Sequence, residues 1–406
     1  MKEGYSAGAL RRDAMAGLTV AILALPLSMA IAVASGVSPE RGLWTAIVGG
    51  FLVSALGGSR YQIGGPAGAF IVLVSATTAR FGVEGLLLTV LMSGVMLALV
   101  GLLRLGSLIR HIPHAVTVGF TAGIGVTILA SQIKDLAGLT LPGREPGELV
   151  PKLAALAAAA PTVTPAALAL GLGVAAFILG LRRLRPGWPG MLFAVVGATL
   201  LAAGLHLPVE TIGARFGDLP RNLPAPGLPP FTPGLALQVL PSALAFTLLG
   251  GVESLLSATV ADRMTGRVHR ANMELVAQGL ANVGSALFGG IAVTGTIART
   301  AANIRAGARS PFAGMLHALF LLLFMLLAAP LASYIPLAAL AGVLVVVAWN
   351  MVEKDELARL ARDWRTGAVL FATFGFTILH DLTLGIVAGC LLAAFISLWE
   401  RGRART

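Results

Sequence analysis

The sequence predicts an all-α integral membrane protein, on the basis of its composition, the spacing of its apolar segments and an internal repeat. Of its 406 residues, 57% are hydrophobic and only 12% are charged, whereas soluble domains have about 25% charged residues. The remaining charges lie between long apolar stretches. The 50 glycines are typical of helices that pack closely or break within a bilayer.

Fourteen segments are candidate membrane elements, because a full span needs about 20 apolar residues and a half-span about 10. Twelve are predicted to be ordinary spans: 14–34, 43–57, 85–103, 113–133, 165–181, 188–205, 235–258, 273–288, 311–329, 336–350, 366–380 and 382–399. The shorter segments 66–79 and 296–307, rich in Gly, Ala, Thr and Ser, are elements 3 and 10 in chain order. The first span is expected to be retained rather than cleaved as a signal peptide.

The basic residues predict how these elements are oriented. If the N-terminus is cytoplasmic and the chain alternates, 21 of the 29 lysines and arginines fall inside, seven fall outside and Arg299 stays in the membrane. Such an excess inside is the rule for membrane proteins. We therefore expect a multi-pass protein of the cell inner membrane with both termini in the cytoplasm. The same rule accounts for the net charge of +11, so no nucleic-acid partner is expected.

An internal repeat relates the two halves of the chain. Ile112-Pro113 recurs as Ile335-Pro336 at an offset of 223 residues, and element 3 recurs as element 10 at an offset of 230. Seven elements separate the copies, and because seven is odd, the second copy starts on the opposite side of the membrane. Inverted repeats of this kind are typical of secondary transporters.

Each of the two short elements follows an extended, glycine-containing stretch, at 61–65 and at 289–293. Backbone that is not helical is tolerated at membrane depth only where it is buried in protein or lines a wet cavity. We expect half-helices to begin at Pro66 and near Thr296, with their N-termini facing one another. Helix N-termini carry partial positive charge and free N–H groups, so the pair predicts a site for a small anion.

Two charged residues stand alone within predicted membrane elements, Arg299 in element 10 and Glu253 in the span 235–258. A charge at that depth is costly and needs a partner or a function. We expect Arg299 to add positive charge to the anion site and Glu253 to carry a proton. Alternatively, Arg299 only pins the two repeats together or reaches an interface, and Glu253 is a structural partner for Arg299 or for the half-helix N–H groups. Glu40 is a second proton candidate, unless it is an exposed loop carboxylate.

Further candidates for substrate binding, besides Arg299 and Glu253, adjoin the half-helix starts or the first span. They are Ser28, Ile31, Gln62, Gly65, Pro66, Ala67, Gly68, Ala69, Phe70, Gly295, Thr296, Ile297, Ala298 and Thr300. Small residues let a ligand approach backbone N–H groups, although they also serve close helix packing. Ser28 and Ile31 qualify because Pro26 is expected to break the first span near them, and for Ile31 a core role is an equal alternative.

No feature of the sequence predicts an enzyme. It contains no P-loop and no nucleophile motif, and its six histidines show no ligand spacing. Its single cysteine, Cys390, excludes a Cys-rich metal site. We therefore expect no catalytic residue, no metal and no cofactor. The expected partners are a small anionic substrate, protons and the lipid bilayer.

Several motifs identify a family resemblance that covers essentially the whole chain. SPERGLWTA at 38–46, followed by GGSR at 57–60, resembles the signature of the SulP anion transporters, also called solute carrier family 26. ESLLSA at 253–258 and TGTIARTAANIR at 294–305 resemble the prokaryotic branch. Within that branch the chain most resembles proton-coupled transporters of dicarboxylates such as fumarate. Arg41 departs from the pattern, because the family usually has an aromatic residue at that position.

The resemblance implies a fold of two intertwined, inverted seven-helix repeats. A core would comprise elements 1–4, within 14–133, and elements 8–11, within 235–329. The last part of the range 14–133 already belongs to the gate. A gate would comprise elements 5–7, within 113–205, and elements 12–14, within 336–399. Substrate would sit between elements 3 and 10, where family members use a basic residue at the position of Arg299. The STAS domain that usually follows in the family is not in this sequence of residues 1–406.

The resemblance also implies a function, proton-coupled symport of dicarboxylates such as fumarate by alternating access. Sodium-coupled bicarbonate transport and sulfate transport are the alternatives within the family. From a different class, a non-transporting structural membrane protein stays open. The resemblance is compatible with a homodimer.

Overall fold

A computed structural model describes residues 5–106, 113–143, 145–146, 149–379 and 382–403 of the chain. Over these residues the protein is mostly helical, as predicted. Its α-helices are α1 (Ala7–Ala34), α2 (Pro39–Trp44), α3 (Gly50–Leu56), α4 (Ile71–Leu102), α5 (His114–Ala137), α6 (Leu149–Ala158), α7 (Pro165–Leu184), α8 (Gly190–Gly204), α9 (Ile212–Phe216), α10 (Pro233–Thr265), α11 (Ala271–Leu287), α12 (Ile297–Arg305), α13 (Phe312–Ala332), α14 (Leu337–Met351), α15 (Lys354–Ala361), α16 (Trp364–Leu379) and α17 (Leu382–Arg403).

The fourteen predicted membrane elements all correspond to helices. Element 2 consists of α2, a π-helical turn at Thr45–Gly49 and α3, while α4 contains elements 3 and 4. Among the described residues, seven helical segments are long and apolar enough to cross a membrane by themselves. The long connections before α7 and before α10 contain the short helices α6 and α9.

A kink at Gly82 separates elements 3 and 4. Gly82 has φ 70° and ψ −177°, a conformation that side chains with a Cβ rarely adopt. We call the part before this kink the first half-helix; it begins with a 3-10 turn at Gly68–Phe70. The prediction that it begins at Pro66 is wrong by two residues. Ala67 is still extended, with φ −120° and ψ 146°, because the backbone just before it is engaged in strand pairing.

The predicted break at Pro26 is also wrong. Helix α1 runs without interruption from Ala7 to Ala34, with Pro26 inside it. A proline removes one backbone hydrogen bond, but neighbouring helices can hold a membrane helix together across it. Helix α1 packs along α13, and Ser28 and Ile31 are both buried. They therefore reach the protein interior from an unbroken helix.

The extended stretches of the two repeats pair with each other inside the protein. Strand β1 (Gly64–Gly65) runs antiparallel to β2 (Thr294–Gly295), with Gly64 opposite Gly295 and Gly65 opposite Thr294. The backbone N–H of Thr296 also donates to the carbonyl of Ile63 at 3.0 Å. This pairing gives hydrogen-bond partners to backbone that would otherwise be unsatisfied at membrane depth. It places the starts of the two half-helices side by side, as the inverted repeat predicts.

The helices pack as two groups. In one group, α4 packs against α10 and α11, and α1 against α13. In the other, α5 packs against α14 and α16, α14 against α7, and α16 against α17. Pro113 and Pro336 precede α5 and α14 in the same extended conformation, with φ −61° and −67°. These prolines occupy equivalent positions in the two repeats; Ile112 lies outside the described residues.

Labelling of introduced cysteines tests the orientation of this fold. Gly143, after α5, and Gly187, after α7, are exposed on opposite faces, and a Cβ at either would meet no atom within 4 Å. In a Cys390→Ala background, we expect a membrane-impermeant maleimide to label Gly143→Cys in intact cells. Gly187→Cys should react only after permeabilisation. The reverse pattern would place the N-terminus outside.

Candidate functional site

The strongest candidate site lies where the two strands meet the second half-helix, α12. Arg299, in the first turn of α12, is only 3% exposed, and its Nη2 donates to Ser28 Oγ at 3.2 Å. Its Nη1 lies so close to Gly65 that a Cβ there would collide with it. The Nε and Nη1 of Arg299 have no hydrogen-bond partner among the described residues. A guanidinium with unused donors is suited to bind an oxyanion through two parallel hydrogen bonds.

The start of the second half-helix is open. Thr296 precedes α12 in an extended conformation, with φ −107° and ψ 120°, and makes no side-chain capping bond. Ile297 is 39% exposed and Ala298 is exposed, although both lie at membrane depth between the buried Gly295 and Arg299. The first N–H groups of a helix have no partner within it. This start therefore offers backbone donors to an anion beside Arg299.

The start of the first half-helix lies at the boundary between the two packed groups. A Cβ at Gly68 would contact the side chains of Ile128 in α5 and of Val347 and Met351 in α14. The preceding Pro66 and Ala67 are buried, as is Ala69. Relative motion of the groups would therefore change the surroundings of this start.

Phe70, another candidate, is committed to packing. Its ring is buried and meets the ring of Phe246 edge-on, with 5.3 Å between the ring centroids. Ile31 is likewise buried in the apolar core, at 2% exposure. In this structure both residues support the site rather than present an open surface to it.

Polar side chains hold the paired strands to helix α10. Gln62 Nε2 donates to the carbonyl of Ser254 at 3.2 Å, and the hydroxyls of Ser254 and Thr294 are 3.0 Å apart. The Ser257 hydroxyl donates to Thr300 Oγ1 at 3.2 Å. Gln62 and Thr300, both predicted as substrate-binding residues, thus also hold the paired strands β1 and β2 in position against α10. Gln62 keeps one unpartnered oxygen, Oε1.

The structure does not join the two predicted proton carriers to Arg299. Glu253 is half-buried between the buried Val252 and Ser254, and over the described residues its carboxylate makes no hydrogen bond or ion pair. Arg299 bonds to Ser28 instead, so the expectation that Glu253 is its structural partner is not met in this conformation. Glu40, half-buried in α2, shares no hydrogen bond with the described site residues.

Two buried carboxylates escape detection from the sequence, because they stand next to charged loops and look solvated. Glu274 is fully buried, and its Oε2 accepts from the N–H groups of Gly58 at 2.7 Å and Ser59 at 2.9 Å. Asp13 is also fully buried and accepts from the N–H of Arg309 at 2.6 Å. Both tie loop backbone to a helix end, which is a structural role.

His317 is a further residue that the sequence does not single out. It is fully buried in α13, and neither ring nitrogen has a hydrogen-bond partner among the described residues. A Cβ at Gly50 would contact both the His317 ring and the carbonyl of Gly64, so the histidine lies beside the paired strands. The sequence feature that could have identified His317 is its position as one polar residue in an otherwise apolar span. Buried unpartnered polar groups are uncommon and call for a physical explanation.

Comparison with known proteins assigns a family to this arrangement. The family described as the sulfate permease family matches residues 10–374. The putative sulfate transporter YvdB of Bacillus subtilis is 42% identical over 400 residues, which cover 96% of this chain and 74% of YvdB. The bicarbonate transporter BicA of Picosynechococcus is 33% identical, over 96% of this chain and 70% of BicA.

Solved structures agree with this assignment. The transmembrane domain of a cyanobacterium bicarbonate transporter BicA matches with a TM-score of 0.85 at 31% identity, over 94% of this chain and 98% of that domain. SLC26A9 matches with a TM-score of 0.89 over 98% of this chain and 67% of that protein, and at 19% identity it speaks for the fold alone. The proteins of this family are transporters, in line with the expectation of a non-enzyme. The chain therefore belongs to the sulfate permease family, SulP or solute carrier family 26, and is the transmembrane part of an anion transporter.

Proposed function

We propose that the protein carries a small oxyanion across the membrane by alternating access, with the anion bound between the two half-helix starts at Arg299. The observation that carries this proposal is the state of Arg299. It is the only buried arginine among the described residues, yet two of its three guanidinium nitrogens have no protein partner. Such a charge is costly inside a membrane protein unless an anion or another partner compensates it.

The substrate we favour is a compact inorganic oxyanion, sulfate or bicarbonate. The relatives YvdB and BicA are named for sulfate and bicarbonate, and neither name supports the expectation of dicarboxylate uptake. A single guanidinium group can form one bidentate pair of hydrogen bonds, which suits an anion with a single oxyanion group.

Dicarboxylates such as fumarate are the second candidate. The paired strands bring two half-helix starts together, and each start supplies roughly half a positive charge. A two-headed anion would place one carboxylate near each start. This arrangement needs no second buried arginine, so the geometry leaves a dicarboxylate in competition.

For energy coupling we propose a proton carried by Glu253, with Glu40 as the second candidate and sodium as the alternative coupling ion. Glu253 is half-buried and has no hydrogen-bond or ion-pair partner among the described residues. It is adjacent in sequence to Ser254, which bonds to Gln62 and to Thr294 of strand β2. Protonation would remove a charge from the membrane interior. That change would favour movement of the loaded site.

Transport itself would use the boundary between the two packed groups. Gly68 contacts α5 and α14 across that boundary, so sliding of the core against the gate would carry the half-helix starts from one side to the other. The core and gate boundaries given above, a position in the inner membrane with both termini cytoplasmic, and a homodimeric assembly belong to this proposal.

Flux into proteoliposomes tests the function and ranks the substrates. We expect labelled sulfate or bicarbonate to accumulate faster than fumarate, because the site offers one compact set of donors. Each anion is measured with a pH gradient, with a sodium gradient and with neither, and protein-free liposomes are the control. Preferential uptake of fumarate would reverse the substrate ranking. Absence of all three fluxes would leave a structural membrane protein as the better description.

Substitution of Arg299 tests the anion site. We expect Arg299→Ala to weaken anion binding by about 10- to 100-fold, which is the effect of losing charge-assisted hydrogen bonds. Arg299→Lys should retain part of the affinity as a point charge. Binding is measured by calorimetry on purified, monodisperse protein. Ser28→Ala removes the one hydrogen-bond partner that Arg299 has among the described residues but keeps the charge, so it separates loss of that contact from loss of the charge. Near-normal affinity in Arg299→Ala would make the arginine structural.

Substitution of Glu253 tests the coupling. We expect Glu253→Gln to lose accumulation driven by a pH gradient while it retains exchange of anions across the membrane, because the amide cannot take up a proton. Glu40→Gln, measured in parallel, should accumulate substrate normally. If the two variants behave the other way round, Glu40 is the carrier. Normal accumulation in both variants would point to a sodium gradient or to another proton site.

A further inference from the structure

A large cavity opens on the face of the core group where the N-terminus lies. Its volume is about 1240 Å³, and its walls come mainly from the N-terminal end of α1 and from loops at 57–61, 267–270 and 308–311. All four segments belong to the group that contains α1, α4 and α10 to α13. The cavity is therefore separate from the boundary between the two groups, through which substrate would move.

The cavity is strongly basic. Five arginines, drawn from all four wall segments, line it: Arg12, Arg60, Arg267, Arg270 and Arg309. Among the lining residues that the structure describes, Asp262 is the one carboxylate, and it is hydrogen-bonded to the backbone N–H of His269 at 3.1 Å and to its Nδ1 at 2.6 Å. A concave surface lined by one sign of charge concentrates ions of the opposite sign.

The carboxylates beside the cavity accept hydrogen bonds mainly from backbone N–H groups. Asp13, behind the cavity, accepts from the N–H groups of Arg309 and Ser310 and from the Tyr5 hydroxyl. Glu274 accepts from backbone N–H groups of the loop at 57–61. The guanidinium groups of Arg12 and Arg309 are exposed and form no ion pair with the described residues.

We infer that this basic cavity binds a phosphate-bearing anion, either the headgroup of an anionic phospholipid or a soluble phosphate compound, at a site distinct from the transport site. Guanidinium groups recognise phosphate through paired hydrogen bonds. A volume of about 1240 Å³ exceeds the roughly 300–1,000 Å³ of common ligand pockets, so it leaves room for a polyanion. Arg183 and Arg185, in contrast, are exposed at the end of α7 and line no described cavity.

An anion bound in the cavity would affect the transport site through the segments that connect the two. Tyr61, in the cavity wall, accepts at its carbonyl from Asn303 Nδ2 of the second half-helix at 2.9 Å. The same wall loop leads directly into β1, and the loop with Arg309 directly follows α12. A bound anion would therefore bridge the segments that lead to both half-helices, and we expect it to change the transport rate.

The first arm of the test uses inorganic pyrophosphate as a soluble probe. Thermal unfolding of the purified protein is followed with increasing pyrophosphate for wild type, for Arg12→Gln/Arg309→Gln, and for the matched control Arg183→Gln/Arg185→Gln. The two double variants remove the same charge. We expect pyrophosphate to raise the Tm of wild type and control, with an apparent affinity about tenfold weaker in Arg12→Gln/Arg309→Gln. If this double variant is unstable, the single variants Arg12→Gln and Arg309→Gln take its place.

The second arm uses nanodiscs of phosphatidylglycerol or phosphatidylcholine. Stabilisation by phosphatidylglycerol that is lost in Arg12→Gln/Arg309→Gln, without any effect of pyrophosphate, identifies a lipid headgroup as the ligand. Equal shifts in all three proteins under both probes, or no shift in any, would overturn the proposal. A pyrophosphate effect abolished by Arg299→Ala but not by Arg12→Gln/Arg309→Gln would place the anion at the transport site and would also overturn it.

Discussion

The pairing of two short extended segments in the protein interior is the constraint on which the rest of the structure depends. A membrane protein cannot leave backbone N–H and C=O groups unpaired at this depth, where each costs about 1–3 kcal/mol or more. Gly64-Gly65 and Thr294-Gly295 pair with each other, and the Ser254 hydroxyl of α10 bonds to Thr294 and to the N–H of Gly295. The close approach also demands glycine, because a Cβ at Gly64 would collide with Val53 and one at Gly295 with Gln62.

The strand pairing concentrates positive charge that the protein does not compensate when no anion is bound. It brings together two helix starts, each the positive end of a dipole, and Arg299 adds a full charge at one of them. A cation at a helix N-terminus is the unfavourable placement, in contrast to the favourable one at a C-terminus. Ser28 is a neutral partner and supplies one acceptor. The arrangement therefore gains stability from a bound anion, which is the physical basis for proposing a transport site here.

The parts of this fold that could be predicted depend on features local in sequence. Apolar length places the fourteen elements, and the matched Pro113 and Pro336 relate the two repeats, because both signals are independent of tertiary contacts. Residue burial was harder to predict. Glu274 can be buried because it accepts hydrogen bonds from the N–H groups of Gly58 and Ser59. These residues lie more than 200 positions earlier in the chain, so no local sequence pattern predicts the contact.

The wrong predictions of local structure concern prolines, and here too contacts between residues distant in sequence decide the outcome. Pro66 was expected to begin a half-helix and Pro26 to break a span, since proline favours the first and disfavours the second in an isolated helix. The strand pairing keeps the chain extended past Pro66, and the packing of α1 along α13 keeps it helical through Pro26. Tertiary partners decided both cases. The candidate site was predictable in outline because the inverted repeat itself predicts the convergence of the half-helices.

The two repeats share a fold but divide the chemistry unequally. The first half-helix contributes backbone and small side chains, and Gly68 gives it contact with α5 and α14 of the other group. The second repeat contributes Arg299 and Glu253, together with an open helix start at Ile297. Within the proposed mechanism, anion affinity and coupling thus reside in the second repeat, and contact with the moving boundary resides in the first. The strand pairing connects the two half-helices, so within that mechanism a charge change at Glu253 would act on the boundary near Gly68.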